Sequence, residues 1–298
     1  MKMYHHSVAF VLLATIVVVW GSNKMCLRKV GPPYRHYTEL GCKPVFKGCC
    51  IEQFDCPFIK NPPAFDKCYF KGRNYNDSEY IQDDFGTICM TSCICISGGE
   101  NPVPRFNFGC AMINCLEYML EPEPDKKDCF LQYSLNSCCS DKNDVCGAKA
   151  FAALKTCTWD SKNTTEGRRF WPSGSCKRCL CTKDFDGTLR APYCEDLFCG
   201  IGIPQVIGFG VGSNLALDKC GPIYVKLDDC CPVDWQCASA TDKITRKPGN
   251  NCKAGPKCHY GDKLLNIGDT VQGGNKCVTC SCDIPPLISC VRKANCTQ

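Results

Sequence analysis

The sequence predicts a small disulfide-rich, mostly β fold, laid out as tandem modules of short strands and turns in an elongated array. Three observations predict it. Cysteine fills 32 of 298 positions, a density above about a tenth that marks a disulfide scaffold. One ten-cysteine order occurs twice in succession, as Cys68, Cys89, Cys93, Cys95, Cys110, Cys115, Cys129, Cys138, Cys139, Cys146 and as Cys157, Cys176, Cys179, Cys181, Cys194, Cys199, Cys220, Cys230, Cys231, Cys237. The runs between cysteines are short and rich in β-branched or aromatic residues, and Gly and Pro interrupt nearly all of them.

Oxidation on this scale requires the secretory pathway, so the chain is expected outside the cell. Residues 1–21 read as a cleaved signal peptide: Lys2 precedes an apolar run from Val8 to Trp20, which is shorter than the ~20 residues a membrane span needs. No later apolar run matches it, so no membrane span is expected. The net charge of +5 is mild and scattered, without the basic stripe interleaved with aromatics that nucleic acid would require. Weak attraction to acidic glycans stays open.

In chain order, residues 22–60 carry Cys26, Cys42, Cys49, Cys50 and Cys56 and look like the second half of a module. Complete modules follow at 68–146 and 157–237. Residues 238–257, rich in Lys, Gly, Asn and Pro and carrying Cys252, read as a linker. Residues 258–296 hold Cys258, Cys277, Cys280, Cys282, Cys290 and Cys296, a first half without its second. Cys-Cys doublets beginning at Cys49, Cys138 and Cys230 are 89 and 92 residues apart, the fixed period of a duplicated unit. Strands are expected at 130–135 and 223–227, while 148–154 is the one tempting helical stretch. Each module is too small to build a self-sufficient core. Disulfides, contributing roughly 2–4 kcal/mol apiece, must supply much of the stability.

The core Cys176-Lys-Arg-Cys-Leu-Cys181 and the close Cys230-Cys-Pro-Val-Asp-Trp-Gln-Cys237 resemble the von Willebrand factor type C module, as in chordin-like, kielin-like and crossveinless-like secreted proteins. The resemblance covers both complete repeats and, partially, the ends. It implies bonds Cys157–Cys181, Cys176–Cys230, Cys179–Cys194, Cys199–Cys231 and Cys220–Cys237. In the preceding module it implies Cys68–Cys95, Cys89–Cys138, Cys93–Cys110, Cys115–Cys139 and Cys129–Cys146. Carried to the incomplete ends, the same rule would join Cys49 to Cys277. The favoured alternative is that each end folds locally with pairing of its own. Cys252 and Cys296, left over when the others are grouped in tens, form a pair by arithmetic alone.

No enzyme, metal site or cofactor is expected. The Cys-x-x-Cys pairs at Cys176/Cys179 and Cys277/Cys280 lack a redox fold's strand-helix context, and each is followed by another cysteine. Only His36 and His259 lie beyond the signal, too isolated to ligate a metal or activate a nucleophile. The loop at Glu121, Glu123 and Asp125 lacks calcium-ligand spacing. Asn76-Asp-Ser and Asn163-Thr-Thr fit N-glycosylation acceptors, and Asn295-Cys-Thr fits more weakly because its cysteine is committed to bonding.

One loop, 200–212, is apolar and glycine-rich where the matching loop 116–128 is acidic. Ile203, Val206, Ile207 and Phe209, with Trp235, are the candidate partner contacts, since an exposed apolar patch on a small scaffold marks a binding surface. The alternative is that these side chains cover the module's own sulfurs. The resemblance implies a non-enzymatic binder of a growth factor of the bone morphogenetic protein/TGF-β class. Two other readings compete. Residues 258–296 are similar to pacifastin-type serine protease inhibitors, with Arg292 or Lys293 facing the protease. A structural or humoral-defence protein is the third.

Overall fold

The computed structural model describes residues 34–48, 50–81, 88–97, 106–115, 117, 129–141, 144–201, 213–226, 229–248, 255–294 and 296. The signal segment 1–21, Cys26, Cys49 and Cys252 therefore lie outside the described residues. Fourteen disulfides join described cysteines. The disulfide-rich, small-strand class is what the structure shows.

The N-terminal segment forms helix α1 (Arg35–Glu39) and the hairpin β1 (Lys43–Lys47) and β2 (Cys50–Asp55), and ends in the turn α2 (Pro57–Lys60). Cys42–Cys56 clamps it. In the first complete module, β3 (Cys68–Phe70) pairs with β4 (Arg73–Tyr75), β5 (Met90–Ser97) with β6 (Phe106–Met112), and β7 (Cys129–Leu131) with β8 (Asp144–Cys146). After α3 (Ala148–Ala152), the second module pairs β9 (Thr156–Trp159) with β10 (Lys162–Thr165) and orders β11 (Arg169–Phe170), β12 (Lys177–Leu180) and β13 (Cys194–Asp196) in one sheet. Then come α4 (Ser213–Leu217), β14 (Gly221–Tyr224) and β15 (Asp234–Gln236).

The ten disulfides within 68–146 and 157–237 are those the resemblance implies, Cys68–Cys95 through Cys220–Cys237. Alternation along a strand explains part of it. In Cys-x-Cys both sulfurs point to one face, so Cys93 can bond Cys110 directly across the ribbon while Cys95 reaches Cys68 from the same side.

The C-terminal end corrects two expectations. First, Cys277 bonds Cys296, a pairing within the final segment as the favoured alternative had it, which excludes the Cys49–Cys277 closure and corrects the Cys252–Cys296 pair. Second, the stretch 238–257 is more than a linker: β16 (Lys243–Thr245) forms the edge of a six-stranded sheet. Beyond it, β17 (Lys257–Tyr260) and β18 (Lys263–Asn266) make a hairpin. The large sheet then runs β15-β14-β21-β20-β19-β16, with β19 (Thr270–Gln272), β20 (Val278–Ser281) and β21 (Ser289–Arg292). The final segment also joins the sheet of the preceding module. Its β21 lies parallel to β14 of the preceding module, with Ile223 beside Cys290.

The array's two ends pack against each other, and among the described residues no disulfide joins them. Tyr37 is fully buried, its hydroxyl donating to the Ile284 carbonyl (2.9 Å) and accepting from the Leu287 N–H (2.9 Å), while its ring stacks on Phe54 at 4.3 Å. The Phe54 N–H donates to the Pro285 carbonyl. Leu40, Ile51 and Phe58 join Ile201, Ala216, Trp235 and Leu287 in one core. Each Leu, Ile or Phe among them contributes about 1.5–3 kcal/mol when fully buried. Glu39, also buried, accepts the N–H groups of Cys199 (2.7 Å) and Ile201 (2.9 Å). The first module touches the same segment where the Tyr69 hydroxyl donates to the Leu40 carbonyl. The N-terminal segment is thus a hub for all three modular units.

Candidate ligand-binding face

The first module's ribbon β5–β6 has two unlike faces. Cys93, Cys95, Met90 and Phe108 point inward and are buried, with Phe108 meeting the rings of Phe70 and Tyr75 edge-on at 6.3 and 5.4 Å. The alternate positions must then point outward. They are Ile94 and Ile96 on β5, opposite Gly109 and Asn107 on β6, with Ala111 further along and Ile113 just past the strand. Tyr80, bridged to Ile94 on the other side, lies on the same face. Tyr80 is 56% exposed, Ile96 45% and Ile113 41%. Gly109 shapes the surface: a Cβ there would sit 3.0 Å from Ile96 Cδ1, so its absence lets the isoleucine lie across the partner strand.

The face is held from below and from one side. Cys68–Cys95 and Cys93–Cys110 fix its underside. At the side, the Ser78 and Ile81 N–H groups donate to Cys95 and Cys93 carbonyls, and the Cys95 N–H donates to the Glu79 carbonyl. The Glu79 carboxylate accepts the Asn76 N–H (2.9 Å) and pairs with Arg73 (2.7 Å), and these contacts hold its carboxyl below the usual carboxylate range. Tyr80 therefore projects from a locked turn. β6 forms the outer edge, with no strand beside it among the described residues. An apolar face next to an open strand edge can pack against a partner's side chains and pair with its backbone. Comparison with family models, curated proteins and solved structures finds no match to this chain.

The residues singled out in the sequence fall elsewhere. Ile203, Val206, Ile207 and Phe209 lie outside the described residues. Trp235 is a correction: it is 8% exposed, pairs in β15 with Pro222 and sits in the central core, because its strand turns that face inward. Asn76 and Asn163, the glycosylation candidates, are both exposed. Arg292 and Lys293 are exposed too, but their backbones are committed, Arg292 opposite Val278 and the Lys293 N–H donating to the Cys277 carbonyl.

The titratable groups have structural settings. His36 is buried, its Nδ1 2.6 Å from the Tyr224 hydroxyl, and burial drives the Tyr224 phenol well above its ordinary range. Burial, then the nearby Lys219 charge, lowers the His259 imidazole. The sulfurs of Cys115, Cys138 and Cys139 cluster, but each belongs to a disulfide, Cys115–Cys139 or Cys89–Cys138, so none offers a thiolate.

Proposed function

We propose that this chain is a secreted, non-enzymatic binding protein that grips a growth factor of the bone morphogenetic protein/TGF-β class. The observation that carries the reading is the outward face Tyr80, Ile94, Ile96 and Ile113 on a ribbon locked by two disulfides. Apolar side chains on a cross-linked ribbon have little freedom left to lose on binding, which is the energetic advantage of a preorganised contact. The ligand class rests on the resemblance to von Willebrand factor type C modules, and the sulfur pairing supports it. No helix among the described residues is long and apolar enough to cross a membrane, which fits a secreted product.

The inhibitor reading is weaker on physical grounds. A protease takes its target as an added extended strand, whereas Arg292 lies in β21, flanked in the sheet by β14 and β20. The test is capture of purified growth-factor dimers of this class by the mature protein, compared with the double variant Tyr80→Asp/Ile96→Asp. Binding to the native protein and a loss of roughly 30-fold or more in the variant is expected if these are central contacts. Phe209→Asp reports on the other candidate surface. Capture of no factor by the native protein overturns the ligand class, and equal capture by the double variant overturns the face.

A further inference from the structure

The second module carries a cleft that the growth-factor reading does not use. Its first wall is the hairpin β9–β10, closed by Asp160-Ser161 with φ of 48° and 59°, the left-handed pair of a two-residue turn that matches strand twist. Trp159 and Lys162 face each other across its end. The second wall follows β11. There Trp171 is 60% exposed beside a buried Pro172, and the Ser175 hydroxyl donates to the Pro172 carbonyl at 2.7 Å to fix the turn. Both indoles therefore stand on rigid mounts. The space between them is a cleft of about 270 Å³, walled by Trp159, Trp171 and Pro172 and rimmed by Asp160, Lys162 and Ser173.

We propose that this cleft binds a neutral hexopyranose ring. The polarised C–H bonds on one face of a pyranose match the negative face of an indole. The hydroxyls around the ring's edge need donors and acceptors together, and the rim supplies a carboxylate acceptor, an ammonium donor and a hydroxyl that is both. Arg169 also lines the cleft, but its guanidinium donates to the Ser137 and Cys138 carbonyls (2.8 and 2.9 Å); the charged pair left at the rim, Asp160 and Lys162, balances, which favours an uncharged sugar over a sulfated or carboxylated one. The volume falls just below the roughly 300 Å³ at which small-molecule pockets begin, so it suits one ring and not a length of peptide. A free sugar and the terminal residue of a glycoprotein chain present the same ring, and the recognition is the same for both.

The test uses the full mature protein, with any glycan on Asn163 removed enzymatically. Tryptophan fluorescence and ligand-observed NMR follow titration with methyl glycosides of glucose, mannose, galactose and N-acetylglucosamine. A parallel arm uses immobilised glycoproteins ending in the same sugars. Saturable binding with Kd near 1 mM, about −4 kcal/mol, is expected for at least one sugar. It should weaken at least tenfold in Trp171→Ala and partly recover in Trp171→Phe, both with an unchanged disulfide fingerprint. Response in the glycoprotein arm alone would place the ring on a conjugate. No saturation with any sugar in either arm, equal affinity in Trp171→Ala, or preference for a sulfated saccharide or a proline-rich peptide overturns the proposal.

Discussion

Replacing Glu39 with alanine tests the hub directly. The carboxylate is 3% exposed and accepts two backbone N–H groups, from Cys199 at 2.7 Å and Ile201 at 2.9 Å, with Arg35 Nε at 3.5 Å. Arg35 in turn donates to the Leu197 carbonyl and pairs with Asp196. Alanine leaves two donors without an acceptor, about 1–3 kcal/mol each and so about 2–6 kcal/mol together. Burial raises the Glu39 carboxyl despite those hydrogen bonds and the nearby Arg35, so removing the ionised group also relieves a desolvation cost. The net loss should therefore fall in the lower part of the range, about 2–4 kcal/mol.

Because disulfides keep each module intact, the loss should appear as local opening. Hydrogen exchange at the Cys199 and Ile201 amides should speed up by roughly 30- to 1000-fold, at 1.36 kcal/mol per decade, with the β5–β6 ribbon unchanged. Glu39→Gln, keeping one acceptor oxygen, should fall between. The sign with pH follows from the raised carboxyl: the folded state holds its proton more tightly, so docking is strongest below the unfolded carboxylate range and weakens as pH rises through the folded value. Unchanged protection at both amides in Glu39→Ala would refute the reasoning.

Gly221→Ala should loosen the parallel β14–β21 pair, because the added Cβ would lie 2.6 Å from Ile288 Cγ1 and 2.9 Å from Cys290 Sγ. A loss of about 1–3 kcal/mol from overpacking is expected in chemical denaturation, with β14–β15 still paired. Asp269 accepts from Arg246 (2.5 Å), the Asn266 N–H (2.8 Å) and the Lys247 N–H (3.1 Å). Burial works to raise its carboxyl, but the bonds from Arg246, Lys247 and Asn266 outweigh that and hold it below the ordinary range. A lowered folded value stabilises above the unfolded range near about pH 4 and loses that stability as pH falls through the folded one. Protease cleavage at 243–248 should accordingly rise on acidification, and Asp269→Asn should abolish that dependence.

What the sequence made legible was local and covalent. Two repeats of one cysteine order, with the family resemblance, carried the ten bonds within 68–146 and 157–237. The hub was not legible. Arg35, Tyr37 and Glu39 read as an ordinary polar stretch, and their partners lie 160 to 250 residues away, where no periodicity links them. Trp235 was misplaced because its short strand gives no sign of which face is covered. The ribbon face could have been found: in Cys93-Ile-Cys-Ile96, sulfurs that bond inward force Ile94 and Ile96 outward. The stretch 238–257 looked like a connector because Gly, Pro and Asn outweigh the short strand it carries, Lys243–Thr245.

Peptide mapping of the secreted, non-reduced chain bears most directly on the claim that sulfur pairing sets which face of each module is left for a partner. Linked peptides for Cys68–Cys95, Cys93–Cys110 and Cys277–Cys296 are the result expected. Free thiols at Cys93 or Cys95, or Cys277 joined to Cys49, would contradict it.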